Sequence, residues 1–471
     1  MKFNLYPTVA GPASDDTLLI WQDASGKVKQ IKSSVATLAA LRALSVTNLS
    51  DGAIINVLGC ESENDGGGGM FFYSLAGVAA DDKGTVIKPT VGAGNWLRLE
   101  VENRINALWF EGVDIGSKIN SAILVASDGG EIYVPRGSYD FSTTININKP
   151  KIKLCGDGQS TELHYTGSGN AIYCPLIAED SKFRITSLWL HGTADTGKGI
   201  RVDSGIGPLS IIDNMFINGF STHIDIGDLP GSNFHLTIRE CFIDIGPSTV
   251  GVKMVVCNAC TITDCFIQGS SGVVSTGVIL DKCTNVTIRG GAVQYHGTAN
   301  IVVRNASYIT TIGPGTYLEG DVAGSLYVDV AADTKGITII GNVFNGNSSV
   351  NYGILVRDGA VGVTIVGNRV DDFLTNFIHN LTSSTSVENR IFGFGNSGNT
   401  GELSGTNGVG MYLDRDGVLR FIQGLVIRIG SGDPNLNFPG QKGSLFLRYD
   451  GGAGTCLYVN EDGTNAGWAP K

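Results

Sequence analysis

The sequence is short of charged residues, of proline and of basic side chains. Charged residues make up 16% of the 471 positions, and only 13 residues are Pro. Disordered chains are rich in charge and poor in apolar residues, so this composition indicates a folded protein. The 33 Lys and Arg residues are outnumbered by 44 Asp and Glu residues, and the net charge is −11. Because the chain contains no basic run, general nucleic-acid binding is disfavoured.

The sequence also lacks long apolar segments. No stretch approaches the ~20 apolar residues that a membrane-spanning helix requires. The segment "MKFNLYPTVAGPASDD" (1–16) has a single Lys and none of the apolar core found in secretory signals. We therefore expect no membrane insertion, and we expect the protein to fold in a cytosol.

Cysteine is sparse, and its spacing does not complete a metal-binding motif. Cys257, Cys260 and Cys265 include one C-x-x-C pair, but no second C-x-x-C and no H-x-x-x-H follows. Structural zinc sites need four such ligands at characteristic spacings. We expect these cysteines to be buried free thiols, and we expect no metal site and no cofactor.

Glycine, in contrast, is abundant with 66 residues, and a repeat runs through the chain. Isoleucines that each precede a turn-forming pair recur every 24 to 27 residues, at Ile185, Ile211, Ile238, Ile262, Ile288, Ile312, Ile339 and Ile365. The units are rich in β-branched residues and lack helical periodicity. About 26 residues suffice for three short strands, and stacked units would pair these strands in parallel. The predicted fold class is all-β, a parallel β-helix with three strands per coil.

The repeat also predicts which residues of each coil point inward. The third residue after the Ile is expected at a bend, where like residues stack between coils: Asn214, Cys241, Cys265, Gly291, Gly315, Asn342 and Asn368. The fifth residue is expected to point into the core: Phe216, Ile243, Ile267, Val293, Tyr317, Phe344 and Val370. The second, fourth and sixth residues then lie outside the core.

Three segments carry a resemblance to a known group of proteins. "GGEIYVPRGSYDFSTTININKPKIKLCGDGQSTEL" (129–163) resembles the opening segment of bacteriophage tailspikes with a pectate-lyase-like, right-handed β-helix. The acidic motif usual before it is replaced by "GVDIGSKINSAI" (112–123). Residues 57–100 are similar to a module that precedes many phage depolymerase helices, and residues 11–44 are similar to a small β module with a short helix that anchors fibres to a virion.

The resemblance implies a domain order and a set of partners. It implies a virion-binding module over 1–45, a β-rich connector over 46–105, the β-helix over 106–398 and a C-terminal β trimerisation cap over 399–471. The protein would be a homotrimer in the virion tail, made in the host cytoplasm. Its N-terminal module would bind phage tail or portal-region proteins, and its β-helix would bind a bacterial surface polysaccharide.

A first group of candidate catalytic carboxylates occupies the second position after the repeat Ile. Asp213, Glu240 and Asp264 hold this position in three successive units. Stacked coils would place neighbours ~4.8 Å apart and the outer two ~10 Å apart. The shorter spacing is near that of retaining glycosidases, and the longer one is near the upper end for inverting ones. Carboxylates beside a bend also commonly cap backbone N–H groups, so a structural role is the alternative.

A second candidate group lies in "TYLEGDV" (316–322). Glu319 and Asp321 are two residues apart, so in an extended strand they share a face at ~6.5–7 Å. That spacing suits an inverting pair with a water between the carboxylates. One unit earlier, the predicted register stacks Tyr295 on Glu319, with His296 beside it. A turn at the glycine between the two acids would instead separate them.

The outward fourth and sixth positions carry aromatic, amide and acidic side chains. Aromatic rings stack on the C–H faces of sugars, while amides and carboxylates bind hydroxyl groups. The candidate substrate-binding residues are Trp189, His191, Phe242, Asp244, Phe266, Gln268, Gln294, Tyr295 and His296. An exposed apolar surface of this size also suits a subunit interface, and a groove between subunits would serve both purposes.

These features together predict a tailspike that recognises a bacterial O-antigen or capsule and cleaves it by endo-glycoside hydrolysis. The sequence has no local signature of pectin-degrading enzymes and no G-x-S-x-G motif. The preferred catalytic pair is Glu319 and Asp321, followed by the second-position carboxylates. Two alternatives stay open: a receptor-binding fibre without catalysis, and a polysaccharide lyase with Tyr295 or His296 as its base.

Overall fold

The structure is a computed structural model of the chain. It describes residues 19–22, 28–47, 49–99, 101, 103–175, 182–193, 195–203, 209–227, 233–247, 249–270, 273–320, 325–346, 350, 352–371, 376–381, 391–393, 403–404, 410–413, 419–421, 425–435 and 437–471. The chain divides into two compact units. The first contains residues 1–167, 171–173 and 182–189, and the second contains residues 168–170, 174–181 and 190–471.

The first unit begins with a six-stranded sheet and a short helix. In sheet order, the strands are Leu19–Gln22, Val28–Val35, Ile54–Val57, Gly69–Ser74, Asn95–Arg98 and Val86–Ile87. The helix Leu38–Ala43 is capped by Thr37, whose hydroxyl accepts a hydrogen bond from the Ala40 N–H at 3.2 Å. Leu38 and Phe71 share one buried core with Trp96. The predicted boundary at residue 45 therefore separates strands that belong to one sheet.

The glycine-rich segment 66–69 forms a turn around the half-buried Asp65 and the buried Arg98. The Asp65 carboxylate accepts hydrogen bonds from the N–H groups of Cys60 at 2.9 Å and of Gly67 at 2.8 Å. The Arg98 guanidinium donates to the carbonyl oxygens of Gly67 and Gly68 at 2.9 and 2.7 Å. These bonds satisfy backbone groups that a tight turn leaves unpaired.

The first coils of the β-helix also lie in the first unit, beneath a helix that the sequence analysis did not predict. Helix Ile115–Val125 starts with a capping box formed by Asp114 and Ser117. It packs on strands Glu131–Tyr133, Gly137–Phe141 and Ile145–Asn146, and so covers the open end of the solenoid. The other elements here are Arg104–Asn106, the 3-10 turn Ala107–Trp109 and Lys153–Tyr165. Strands Asn170–Cys174 and Arg184–Gly192 each contain residues of both units.

The second unit consists of stacked coils with three parallel strands each. We name the three resulting sheets sheet 1, sheet 2 and sheet 3. Sheet 1 contains Lys198–Val202, Thr222–Ile226, Val250–Val255, Thr276–Asp281, Ala299–Arg304, Leu326–Val330, Tyr352–Val356, Asn376–Asn380 and Leu403–Ser404. Sheet 2 contains the start of Ile211–Asn218, then Thr237–Arg239, Thr261–Thr263, Thr287–Arg289, Tyr308–Ile312, Lys335–Ile340 and Thr364–Val366. Sheet 3 contains the end of Ile211–Asn218, then Phe242–Asp244, Phe266–Gln268, Ala292–Gln294, Tyr317–Glu319, Val343–Asn345 and Arg369–Asp371.

The pairing confirms the parallel β-helix predicted from the repeat. Ile262 pairs in parallel with Ile238 on one side and with Ile288 on the other. A short strand pair, Asn233–Phe234 with Cys257–Asn258, adds to two of the coils. Cys257 and the neighbouring predicted thiols, Cys260 and Cys265, are buried and form no disulfide bond.

The predicted register is wrong by one residue in two coils. Ile212, and not Ile211, pairs with Ile238 and is fully buried. In the coil of Ile312, one additional residue at the bend makes Leu318 the inward residue in place of Tyr317. Because successive side chains of a strand point to opposite faces, a shift of one residue exchanges the inward and outward sets.

Buried asparagine side chains join two coils at the bend between sheets 2 and 3, as the repeat predicted. The Asn368 carboxamide oxygen accepts the Asn342 N–H at 2.9 Å, and its amide donates to the Ile339 carbonyl at 3.1 Å. The Asn342 amide donates to the Ile312 carbonyl at 2.9 Å. Each amide thus satisfies backbone groups of the coil beside it.

The C-terminal part of the second unit forms a mixed sheet. Its strands are Ile391–Gly393, Gly410–Leu413, Leu419–Phe421, Val426–Gly430, Leu445–Arg448, Leu457–Asn460 and Trp468–Pro470. Phe446 and Trp468 form its buried core with Tyr458, whereas Ile429 and Leu447 on the other face are 63% and 40% exposed. In the described part of the chain, no helix is long and apolar enough to cross a membrane.

Candidate functional site

Two columns of outward side chains run along sheet 3 of the second unit. The aromatic column consists of Phe216, Phe242 and Phe266, followed by the buried Ala292 and then by Tyr317. The polar column consists of Asn218, Asp244, Gln268, Gln294, Glu319 and Asn345. Between the columns, buried residues such as Ile243 and Ile267 point into the core, as the alternation along a strand requires.

The aromatic column presents three stacked rings. The centroids of Phe216 and Phe242 are 4.9 Å apart with planes inclined by 3°, and those of Phe242 and Phe266 are 5.1 Å apart with planes inclined by 18°. All three side chains are half-buried. The coil spacing fixes the separation of the rings, which form one continuous apolar strip.

The sequence analysis placed Phe216 in the core and put Met215 and Ile217 on this face. The structure reverses this assignment, because the register of this coil starts at Ile212. Met215 and Ile217 are buried, and Phe216 and Asn218 lie on the outer face. With Phe216 and Asn218, both columns include one more coil, and the face is more aromatic and more polar than predicted.

The predicted residues Trp189 and His191 belong to the strand Arg184–Gly192. Both are half-buried and alternate with buried Leu188 and Leu190, so the predicted outward positions are confirmed. The His191 Nδ1 lies 2.9 Å from the Asn218 Oδ1. This contact continues the polar column of the second unit to His191.

Asp244 lies in the polar column beside an acid that the sequence analysis missed. Burial raises the pKa of the Asp244 carboxyl, and the negative charge of Asp195 raises it further. Asp195 has a left-handed backbone with φ of 50°, and its carboxylate lies against Gly246, where a Cβ atom would be 2.8 Å from each carboxylate oxygen. A carboxyl with a raised pKa next to a second acid is an arrangement that suits general acid catalysis.

Glu319 lies at the other end of the polar column and is held by two neighbours. The Tyr317 hydroxyl donates to the Glu319 Oε2 at 3.1 Å, and the Asn345 amide donates to the Oε1 at 2.9 Å. The same amide is 2.8 Å from the Tyr317 Oη. The carboxylate is therefore oriented on the outer face, while Asp321, its predicted catalytic partner, lies outside the described residues.

The predicted positions of Tyr295 and His296 are wrong. Gln294, and not Tyr295, pairs with Glu319 across the coils. His296 is 1% exposed, with its Nδ1 at 3.1 Å from the Ser275 Oγ and its Nε2 at 3.3 Å from the Ile267 carbonyl oxygen. Burial lowers the pKa of His296 to about 4. A buried imidazole with both nitrogens engaged does not reach a glycan on the outer face.

The column of second-position carboxylates is incomplete. Glu240 and Asp264 are exposed in adjacent coils at left-handed bend residues, each with φ of 54°. Asp213 is not in this column, because Asn214 occupies the bend there. Asp213 is instead 3% exposed, and its Oδ2 accepts a hydrogen bond from the Arg239 Nη2 at 3.1 Å. The predicted ~10 Å pair of Asp213 and Asp264 at equivalent bend positions therefore does not form.

The chain is similar to known phage proteins. Residues 34–101 match the family model of the phage tail protein small four-stranded beta-sheet domain. No curated protein sequence matches the chain. The gp42 tailspike of Acinetobacter phage vb_AbaP_AS12 is 12% identical, the match covers 93% of this chain and 87% of that one, and the TM-score is 0.62.

Two further solved structures share the fold. Full-length tailspike protein 2 of Escherichia coli O157:H7 bacteriophage CAB120 is 18% identical with a TM-score of 0.56 over 91% of this chain. That match spans only 60% of the longer protein. The tailspike of Acinetobacter phage vB_ApiP_P1 is 13% identical with a TM-score of 0.50, over 83% of this chain and 68% of that one. The domain match and the fold confirm the predicted resemblance: the chain has the architecture of a phage tailspike built on a parallel β-helix.

Proposed function

We propose that the protein is a tailspike of the phage virion that binds a bacterial surface polysaccharide along sheet 3 and hydrolyses it. The observation that carries the proposal is the pair of columns on sheet 3. Stacked Phe rings lie beside a row of amides and carboxylates, with one ring and one polar side chain in each of three successive coils. Such a surface offers apolar contact to the C–H faces of sugars and hydrogen bonds to their hydroxyl groups.

Hydrolysis is assigned first to Asp244 and Asp195. Asp244 would donate its proton to the glycosidic oxygen as the bond from that oxygen to the anomeric carbon breaks. A water molecule would add to the anomeric carbon, and the Asp195 carboxylate would accept the proton that this water loses. The raised pKa of Asp244 supports its role as the acid. Glu319 and Asp321 are the second candidate pair, and Glu240 with Asp264 is the third.

One experiment separates cleavage from elimination and from binding alone. The purified trimer or monomer is incubated with O-antigen and capsular polysaccharides from a panel of bacterial strains. New reducing ends without a new ultraviolet-absorbing double bond indicate a hydrolase, and both signals together indicate a lyase. Binding without either signal indicates a receptor-binding fibre and overturns the hydrolysis proposal. Failure of every polysaccharide to bind overturns the glycan-binding proposal itself.

Asp244→Asn and Glu319→Gln distinguish the catalytic assignments. Both changes keep the size of the side chain and remove the ionisable group. We expect Asp244→Asn to lower turnover at least about a hundredfold, as removal of a general acid does, while binding is retained. If Asp244→Asn leaves the rate unchanged and Glu319→Gln lowers it strongly, Glu319 and Asp321 become the assigned catalytic pair.

The C-terminal sheet supports a homotrimer as part of the proposal. Ile429, Leu447 and Tyr449 are exposed apolar residues of this sheet and its adjoining turn, and exposed apolar patches commonly mark subunit contacts. Light scattering of Ile429→Lys and Leu447→Lys variants tests this, with Val113→Lys in the first unit as control. If both variants remain trimeric, the subunit contact does not involve this face of the C-terminal sheet. The phage tail domain at 34–101 would attach the trimer to other tail proteins.

A further inference from the structure

We propose that the polysaccharide recognised by sheet 3 is neutral, without uronic acid, phosphate or other anionic substituents along the bound segment. This inference rests on the proposed function and names the chemical class of its substrate. It follows from the distribution of charge around the coils.

No Lys or Arg occurs on sheet 3, or in the segment after it that leads to sheet 1, over six successive coils. These segments are 216–221, 242–249, 266–275, 292–298, 317–325 and 343–351. They account for every residue from the start of each sheet 3 strand to the next strand of sheet 1. The next basic residue on sheet 3 is Arg369, one coil beyond Asn345.

The basic residues of the same coils all belong to the other two sides of the solenoid. They lie in the strands of sheets 1 and 2 or directly after them, and they are Arg239, Lys253, Lys282, Arg289, Arg304 and Lys335. Several are already paired there: Arg239 with Asp213 at 3.1 Å and Arg304 with Asp281 at 2.9 Å. The lack of cations is therefore specific to one side of these coils. It does not reflect a general shortage of basic residues in them.

The charges that the face does carry are negative. Asp244 and Glu319 belong to the polar column, and Asp195 lies beside Asp244. Proteins recognise carboxylates and phosphates with the fork of Arg or the ammonium of Lys. An anionic glycan here would meet like charges with no side-chain cation to offset them, and such contacts are strongly unfavourable. The amide of the half-buried Gln268 between the acids suits uncharged hydroxyl and N-acyl groups instead, whereas the predicted binding residue Gln294 is only 8% exposed.

The same distribution favours hydrolysis over elimination. Elimination on a uronic acid develops negative charge on the carboxylate of the sugar, which a positively charged side chain would have to stabilise. Hydrolysis needs one protonated and one ionised carboxyl group and develops positive charge at the anomeric carbon. Asp244, whose pKa is raised by burial and by the neighbouring Asp195, suits the role of the acid in hydrolysis.

The test compares one polysaccharide in two charge states. Neutral and acidic bacterial polysaccharides of known composition are first screened by biolayer interferometry with the full chain. A neutral polysaccharide that binds is then oxidised at its primary hydroxyl groups, which converts them to carboxylates on the same backbone. We expect the oxidised form to bind at least about tenfold more weakly, and the loss to shrink as salt concentration rises, because like-charge repulsion is screened.

Three variants that differ in the presence and position of an added cation provide the matched controls. Gln268→Lys adds a cation to the polar column, Gln268→Met removes the amide without adding charge, and Thr287→Lys adds a cation to sheet 2. We expect only Gln268→Lys to recover binding of the oxidised polysaccharide. If only acidic polysaccharides bind, or if oxidation leaves binding unchanged, the inference is overturned although the proposed function stands. If none binds, the proposed function fails.

Discussion

The Asp195 carboxylate faces the strand that carries Asp244 and holds a second negative charge close to it. The two acids come from different coils, and only the stacking of these coils brings them together. Asp244 supplies a half-buried carboxyl group in the row of polar side chains, and burial together with the charge of Asp195 raises its pKa.

A first prediction concerns the pH dependence of cleavage. If Asp244 is the acid, its contribution is present while it is protonated and is lost as the pH rises through its pKa. Asp195→Asn removes the assigned base, so the overall rate should fall. It also removes a charge that raises the pKa of Asp244, so we expect the alkaline limb of the remaining activity to move to lower pH. The measurement is the rate of reducing-end release across the acidic and neutral range.

Asp333→Asn is the control for this prediction. Asp333 is exposed, and its Oδ1 accepts the Ala306 N–H at 3.1 Å, a bond that Asn can keep. We expect the profile of this variant to match that of the unchanged protein. An alkaline limb that stays in place in Asp195→Asn would show that Asp244 does not set it.

A second prediction concerns the Phe strip. Phe242 stacks on a ring above and on a ring below, so Phe242→Ala interrupts the strip at its centre. Each aromatic contact contributes about 0.5–1.5 kcal/mol, and we expect glycan affinity to fall by about three- to tenfold. Titration calorimetry or interferometry measures this loss. Tyr308→Ala is the control, since Tyr308 is 38% exposed on sheet 2, and it should leave affinity unchanged; equal losses in both variants would place the glycan elsewhere.

A third prediction concerns the amide ladder at the bend. Asn368→Ala leaves the Asn342 N–H and the Ile339 carbonyl without their partner in the interior. We expect the free energy of unfolding to fall by about 1–3 kcal/mol, the cost of buried polar groups left unpaired. Urea unfolding measures the change, with Thr364→Ala on the outer side of the same coil as control. A loss no larger than that of the control would mean that the ladder is not a stabilising element.

The period of the solenoid could be predicted from the sequence because every coil must supply apolar residues at the same inward positions. The errors arose where that rule is ambiguous. Ile211 and Ile212 are both isoleucines, and only the pairing with Ile238 shows which one is inward. The additional residue at the bend before Tyr317 leaves no mark in the apolar pattern. Each error of one residue moved a whole strand to the wrong face.

The proximity of Asp195 to Asp244 could not be predicted in the same way. Asp195 lies outside the repeat, in a segment whose left-handed backbone decides where its side chain points. The helix at 115–125 was predictable in principle, because Asp114 and Ser117 form a recognisable capping box. The lack of basic residues in six coils of sheet 3 is also visible in the sequence. It becomes meaningful only once the strands are assigned to sheets.

A fourth prediction concerns acid stability. Burial lowers the pKa values of His223 and His296 to about 4, below the ~6.5 expected in the unfolded chain. The unfolded state therefore binds these protons more readily, and stability is complete above pH ~6.5 and falls as the pH drops toward 4. Each histidine should lower the free energy of unfolding by about 3 kcal/mol at the acid end of this window. Urea unfolding from pH 7 to pH 4 measures the slope, and His296→Gln should remove about half of the histidine contribution. The exposed His235 is the control, because His235→Gln should leave the slope unchanged; an equal slope in the His296→Gln variant would contradict the assignment.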